Sequence, residues 1–457
     1  VLILKKRIKA TFTFILIAAF LGFIIYMKNL IGAATDEAEI STLQSYITIV
    51  TLVVAAILFI MEIIPLSVTA MFIPIVLTLT GVLTSEEAFK SLSNSTILIY
   101  GGMFIVGGAM FATGLAGAIG RKVIALSNGS EIKLTLGIIM ITALLSSVLS
   151  NTGTVAVLLP VCIGIADAAG WQRGKLLMPL AIMASVGGMM TLVGTPPNIT
   201  VNATLLQYGE SQFGFFEYAK FGIPLTIVST IYLLTIGRRL LKSENKALVN
   251  EVETAETFHS KKDQLIAGSI LLAVVVAMAT EIIPLHIAAI AGGLLCIITG
   301  ILTEREAYRS IDWSTIFLFA GALSLSVALE KTGAGALIAN TVINAMGGNV
   351  SPYLLITVLF ILTAGLTQFM SYTASAALLA PIGLQIAYSL AINPHAVLMT
   401  IAVAASAAFA TPVATPPNTM VYGPGGFKFM DFVKVGVPLL FITYLMALLL
   451  IPLIWPF

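Results

Sequence analysis

Charged side chains are scarce in this sequence: Asp, Glu, Lys and Arg make up 10% of 457 residues, against 58% hydrophobic. A soluble domain of ordinary composition carries about 25% charged residues, so an ordinary water-facing surface is excluded. Hydrocarbon accounts for the deficit, because a charge at the bilayer centre is costly. Cysteine is nearly absent as well. Cys162 and Cys296 both lie in apolar segments and read as small hydrophobes, not as a disulfide. The three histidines, His259, His286 and His395, have no metal-ligand spacing. A net charge of +2 supplies no basic field for nucleic acid. No phosphate-binding loop is present, since Gly101-Gly102 and Gly107-Gly108 follow no strand and read as helix packing. That excludes ATP-driven chemistry on this chain alone. The alternating ten-residue pattern of a membrane barrel is also missing.

What is present is a series of apolar runs near the roughly 20 residues that a helix needs to cross a bilayer. They fall near 11–31, 43–61, 66–83, 95–115, 176–206, 220–237, 264–280, 285–302, 313–330, 395–421 and 435–456. Lys5, Lys6, Arg7 and Lys9 precede the first run with no small-residue cleavage site, so a retained helix is expected there and not a signal peptide. Two further stretches, 132–168 and 352–391, are interrupted by polar residues. Halves of about 15 residues, roughly 23 Å as helix, are short for a 30 Å core and predict re-entrant hairpins. The expected fold is an all-α membrane protein of eleven transmembrane helices plus two re-entrant helical hairpins. With the N-terminus cytoplasmic and the C-terminus external, nineteen Lys and Arg fall inside and four outside (Lys28, Lys90, Lys220 and Lys331). That bias predicts an inner or plasma membrane protein with a cytoplasmic connector at 241–262.

The chain repeats itself at an offset near 220. Glu62-Ile-Ile-Pro-Leu66 recurs as Glu281-Ile-Ile-Pro-Leu285, and Thr113-Gly114 as Thr332-Gly333. Ser150-Asn151-Thr152, followed by Pro160, matches Ser371-Tyr372-Thr373, followed by Pro381. Thr195-Pro196-Pro197-Asn198 returns as Thr415-Pro416-Pro417-Asn418. Five expected crossings separate each position from its mate, an odd number, which predicts two inverted-topology repeats. Such repeats, with broken helices meeting near the midplane, are a transporter arrangement.

The polar residues concentrate at the hairpin tips and the Pro-Pro breaks. A half-helix that starts at a tip points its first N–H groups inward and attracts an anion, while the carbonyl end of the preceding half suits a cation. Two adjacent prolines remove two backbone donors and break a helix. An isolated membrane Ser or Thr is more often a packing residue; matched clusters at two tips are not explained that way. Glu62 and Glu281 read as turn residues, and Asp167 as a solvated hairpin end.

Paired Ser-Asn-Thr-type tips, each followed by Thr-Pro-Pro-Asn, resemble the divalent anion/sodium symporter family of di- and tricarboxylate carriers, from about residue 40 to the end. The resemblance implies a homodimer embedded in membrane lipid. A scaffold of 1–120 and 263–345 would carry a mobile unit, 121–240 and 346–457, that moves as an elevator. It also implies that Asn151, Thr152 and Thr373 contact substrate carboxylates, with Ser371, Tyr372, Thr195, Pro196, Thr415 and Pro416 close by. A first sodium site would use Ser146, Ser150, Asn151 and the Gly194 carbonyl; a second would use Thr367, Ser371 and Ala414. The second copy departs from the family pattern, because Tyr372 stands where an Asn is expected and offers no amide. No cofactor is expected beyond sodium as coupling ion. The family includes sodium-independent exchangers, so dicarboxylate exchange is favoured, with sodium symport as the alternative. Transport of an inorganic anion such as sulfate, or an anion channel, are further alternatives; no Ser-with-His or acid pair points to an enzyme.

Overall fold

The computed structural model describes residues 19–20, 22–33, 36–61, 64–125, 130–241, 260–347 and 350–457. The basic cluster at 5–9, the start of the first expected crossing (11–18), Glu62, and most of the connector with His259 lie outside the described residues. From Glu37 onward the described secondary structure is entirely helical. The first half runs α1 (Glu37–Met61), α2 (Leu66–Leu79), α3 (Ser85–Phe89), α4 (Ser95–Ala112) and α5 (Leu115–Ala125). It continues with α6 (Glu131–Val148), α7 (Asn151–Ala168), α8 (Gly174–Gly188), α9 (Pro196–Gln207) and α10 (Ala219–Tyr232). A π turn carries α10 on to Leu240. The second half repeats the order: α11 (Lys261–Thr280), α12 (Leu285–Ile298), α13 (Glu304–Ser310), α14 (Trp313–Lys331) and α15 (Ala334–Ala345). Then come α16 (Pro352–Thr367), α17 (Tyr372–Ser389), α18 (Pro394–Ser406), α19 (Pro416–Tyr422) and α20 (Phe429–Ile454).

Local chemistry sets these boundaries twice over. Thr84 and Thr303 open α3 and α13 with capping boxes, in which Glu87 and Glu306 reach back to the cap N–H. Glu281 ends α11 in the left-handed region at φ 52°, a turn residue as expected. Asp167 is exposed, as expected, and Arg173 donates to both its oxygens at 2.6 Å across the end of the first hairpin.

The halves are related by an approximate twofold. Gly102 of α4 lies so close to α12 that a Cβ there would run into the Ala289 backbone. Its mate Gly321 of α14 meets the Ala70 backbone of α2 in the same way. Position 289 is the repeat mate of 70, so the two crossings exchange partners, as isologous contacts about a twofold do. Small residues that let helix backbones approach closely are how membrane helices gain packing energy. Side chains follow the same exchange. Ser45 of α1 donates to the Thr332 carbonyl, and Gln264 of α11 donates to the Thr113 carbonyl at 3.1 Å.

Among the described residues, eight helical stretches are long and apolar enough to cross a membrane, and both halves of the first hairpin are among them. Those halves have 18 residues each, and the second hairpin has 16 and 18. At 1.5 Å per residue this is about 24–27 Å, longer than the sequence suggested, because the polar tip residues are themselves helical. The expected crossings at 176–206 and 395–421 are each interrupted, at 189–195 and 407–415, just before the paired prolines.

Candidate functional site

Each hairpin tip is a helix start held by a serine. Ser150 Oγ accepts from the Gly153 N–H at 3.1 Å, and Ser371 Oγ from the Ala374 N–H at 3.1 Å. Such caps satisfy one orphan donor and leave others of the first turn free to face a guest. Each tip is tied to a break. Thr191 Oγ1 donates to the Ser147 carbonyl, and Thr411 Oγ1 to the Gln368 carbonyl at 2.7 Å. The break is itself stapled by the Asn of the Thr-Pro-Pro-Asn motif. Asn198 Nδ2 donates to the Thr191 and Gly188 carbonyls at 2.8 and 3.4 Å. Asn418 Nδ2 donates to the Thr411 and Ala408 carbonyls, both at 2.9 Å. Proline takes away backbone donors here, and the buried amide replaces them.

Around Asn151 four polar groups converge. Ser146 Oγ donates to the Ala184 carbonyl at 2.7 Å and lies 2.6 Å from the Asn151 amide. Turned one way, the amide nitrogen donates to the Gly194 carbonyl at 2.9 Å, to Ser146 Oγ and to the Ala184 carbonyl. Turned the other way, Asn151 Oδ1 joins those three oxygens in an all-oxygen cluster, the donor set of a hard cation. Gly188 is part of this cluster, because a Cβ there would lie 2.6 Å from Asn151 Oδ1 and 2.8 Å from the Gly194 oxygen. The second half repeats only part of it. Thr367 Oγ1 donates to the Ala405 carbonyl at 2.9 Å, as Ser146 does to Ala184. Tyr372, the mate of Asn151, has no amide to complete such a cluster, and both residues line one cavity.

That cavity, about 340 Å³, joins both motifs of both halves. Ser150, Asn151, Thr152 and Tyr372 reach it from the tips; Gly194, Pro196 and Pro416 reach it from the breaks. Thr195, Thr373 and Thr415 are buried beside these segments, and Ala414 and Thr367 are buried behind the second tip. None of these five, nor Ser146 or Ser371, lines the cavity itself. Sequence reasoning missed Tyr100, Met103 and Phe104 of α4, and Ser310 and Asp312 at the α13–α14 junction, which form the opposite wall. No motif marks them; they come from elements distant in sequence. The wall includes no Lys, Arg or His.

The repeat mates of Tyr100, Met103 and Phe104 are Phe319, Ala322 and Leu323 on α14. These line a void of only about 10 Å³ against α9 and α17. On that side Tyr208 at the end of α9 donates to the Ser326 carbonyl at 2.9 Å. The twofold is therefore broken, with α4 set apart from the tips by a cavity and α14 packed shut.

A family model described as citrate transporter matches residues 56–387 and 351–457. A Haemophilus influenzae protein described as an uncharacterized transporter is 30% identical, over 83% of this chain and 86% of that protein. The sodium-dependent dicarboxylate transporter SdcS of Staphylococcus aureus is 25% identical, over 90% of this chain and 86% of that protein. Among solved structures, the YdaH transporter of Alcanivorax borkumensis shares the fold with a TM-score of 0.60 at 16% identity. The alignment spans 82% of this chain and 87% of that one. MtrF of Neisseria gonorrhoeae gives 0.57 at 14% identity, over 82% and 83%.

Proposed function

The chain belongs to the citrate transporter family, an integral membrane transporter of the divalent anion/sodium symporter type, and from that premise we propose that it carries small dicarboxylates such as succinate, fumarate, malate or 2-oxoglutarate. The observation that carries this reading is the shared cavity. Two helix starts and two Pro-Pro breaks converge on it, and their N–H, hydroxyl and amide donors suit a carboxylate in the absence of any cationic side chain. A volume of about 340 Å³ is ample for a four- or five-carbon diacid.

Movement is by an elevator, in which 121–240 and 346–457 travel against 1–120 and 263–345 of a homodimer. Contacts within the moving unit support this division. Tyr232 of α10 donates to the Val435 carbonyl of α20 at 2.7 Å. Glu131 at the start of α6 binds Arg238 at 3.0 Å and Lys175 at 3.6 Å. With Arg305 and Arg309 on the cytoplasmic side, as the Lys and Arg distribution favours, the cavity opens inward.

Coupling is by exchange of one dicarboxylate for another, because Tyr372 removes the amide that would complete a second cation cluster. Sodium symport is the second reading. It draws on the oxygens around Asn151 and on the sodium dependence in the name of the Staphylococcus aureus relative. Labelled succinate uptake into liposomes holding the purified protein tests both. Exchange requires internal dicarboxylate and responds little to sodium, whereas steep sodium activation into empty vesicles would select symport. Absence of saturable counterflow under every condition would remove the carrier reading itself.

A further inference from the structure

Among the described residues, the one charged side chain on the cavity wall is an acid, Asp312. A carboxylate is the wrong sign for a site that takes dianions. The bland explanation is helix capping, since Asp312 precedes α14 and accepts from the Thr315 N–H at 3.3 Å and the Thr315 hydroxyl at 2.5 Å. Capping does not require the charge, however. At the matching cap of α4 the first half has a neutral Asn94, whose Oδ1 accepts from the Thr96 N–H at 2.8 Å. The negative charge is thus an addition of the second half alone, at the half-helix junction that borders the open cavity.

Nothing nearby cancels it. Asp312 has no ion pair among the described residues. The ionisable groups facing it are the phenols of Tyr100 from α4 and Tyr372 from α17, both cavity residues. Arg309 lies on α13, three residues earlier, and is exposed and off the cavity wall.

Resting on the dicarboxylate reading, we propose that Asp312 is a charge-selectivity residue: it weakens binding of the dianion relative to the monoprotonated form of the same diacid. The monoanion keeps one carboxylate for a tip and presents a neutral carboxyl, itself a donor, to the Asp312 side. Coulomb repulsion acts here through a water-accessible cavity, because Asp312 is exposed, so its effect is moderate, on the order of threefold to tenfold in affinity.

The test is the KM for succinate uptake into liposomes, above and below the second ionisation of succinate, for the full-length protein. Wild type is expected to show a lower KM at the acidic pH. Asp312→Asn keeps the cap, as Asn94 does, and should lower KM at the alkaline pH about threefold to tenfold, flattening the pH dependence. Asp312→Glu should keep the wild-type profile. Asp312→Ser, a second capping residue, guards against a folding defect peculiar to one variant. Equal KM ratios in wild type and both neutral variants would overturn the proposal and leave Asp312 a cap, with the substrate reading intact. Wild type that takes up no dicarboxylate at either pH would instead remove the substrate reading, and this inference with it.

Discussion

Asn151 and Tyr372 occupy the same place in the two halves and do different things. Both line the cavity, but Asn151 also turns its amide into an oxygen cluster with Ser146, Ala184 and Gly194, which Tyr372 has no amide to form. Asn151→Ala should therefore cut succinate uptake about tenfold or more at an unchanged level of folded protein, since a hydrogen bond to a charged group is worth roughly 1.5–3 kcal/mol. Uptake assays normalised to protein that elutes as a single peak in detergent check this, and uptake near wild type would make the tip a packing element. Tyr372→Asn supplies an amide beside Thr367 and should raise the sodium response of uptake. No gain in sodium dependence would show that the missing amide does not set the coupling. Both residues were legible because the repeat aligns them. Gly188 was not, since nothing in Gly187-Gly188-Met189 says that a Cβ would fill the cation cluster. Asp312 was not either, because its cavity neighbours on other elements, Tyr100 and Tyr372 among them, lie far away in sequence.

At the scale of elements, the sequence was informative wherever a residue type removes an option. Paired prolines forced breaks in α8–α9 and α18–α19, and the breaks are there. Hairpin lengths were underestimated, because Asn151 and Tyr372 are first-turn helical residues and not loop. The short helices α3 and α13 carry a signal only in their capping-box patterns, Thr-Ser-Glu-Glu and Thr-Glu-Arg-Glu, because at five and seven residues they have no apolar periodicity to read. Helices α5 and α15 were missed because each is too short to cross a membrane. The breaks cost backbone hydrogen bonds, and the motif Asn restores them. Asn418→Leu conserves volume but strips the partner from the Thr411 and Ala408 carbonyls. A buried acceptor left alone costs about 1–3 kcal/mol, so this variant should unfold at clearly lower temperature in detergent than wild type. Asn198→Leu should do the same more weakly, as one of its two bonds is long at 3.4 Å. Equal unfolding midpoints for wild type and Asn418→Leu would show that water satisfies those carbonyls.

At the scale of the whole molecule, the twofold relation and its violation are what the proposed alternation of access would need. Contacts among α2, α4, α12 and α14 obey the twofold, as Gly102 on Ala289 and Gly321 on Ala70 do. Contacts between α4 or α14 and the tips do not: about 340 Å³ opens beside Tyr100, Met103 and Phe104, and about 10 Å³ remains beside their mates. On the proposed mechanism, a second state would close α4 on α7 and α19 and part α14 from α9 and α17, with the same kinds of contact exchanged between halves. Alternation between the two is what inverted repeats provide. The described state is held on its closed side by packing and by few polar links, of which Tyr208 to the Ser326 carbonyl is one. Cysteines placed at 208 and at the exposed position 330 of α14 beside it, after Cys162 and Cys296 are replaced by Ala, offer a short bis-maleimide a bridge in this state. The bridge joins α9 of the moving unit to α14 of the scaffold, so it should abolish exchange while leaving the uncrosslinked double variant active. Mass spectrometry of the bridged peptide verifies the link. Exchange at the wild-type rate by fully bridged protein would mean that α9 and α14 do not part during transport, and the elevator would fall while the binding cavity stood.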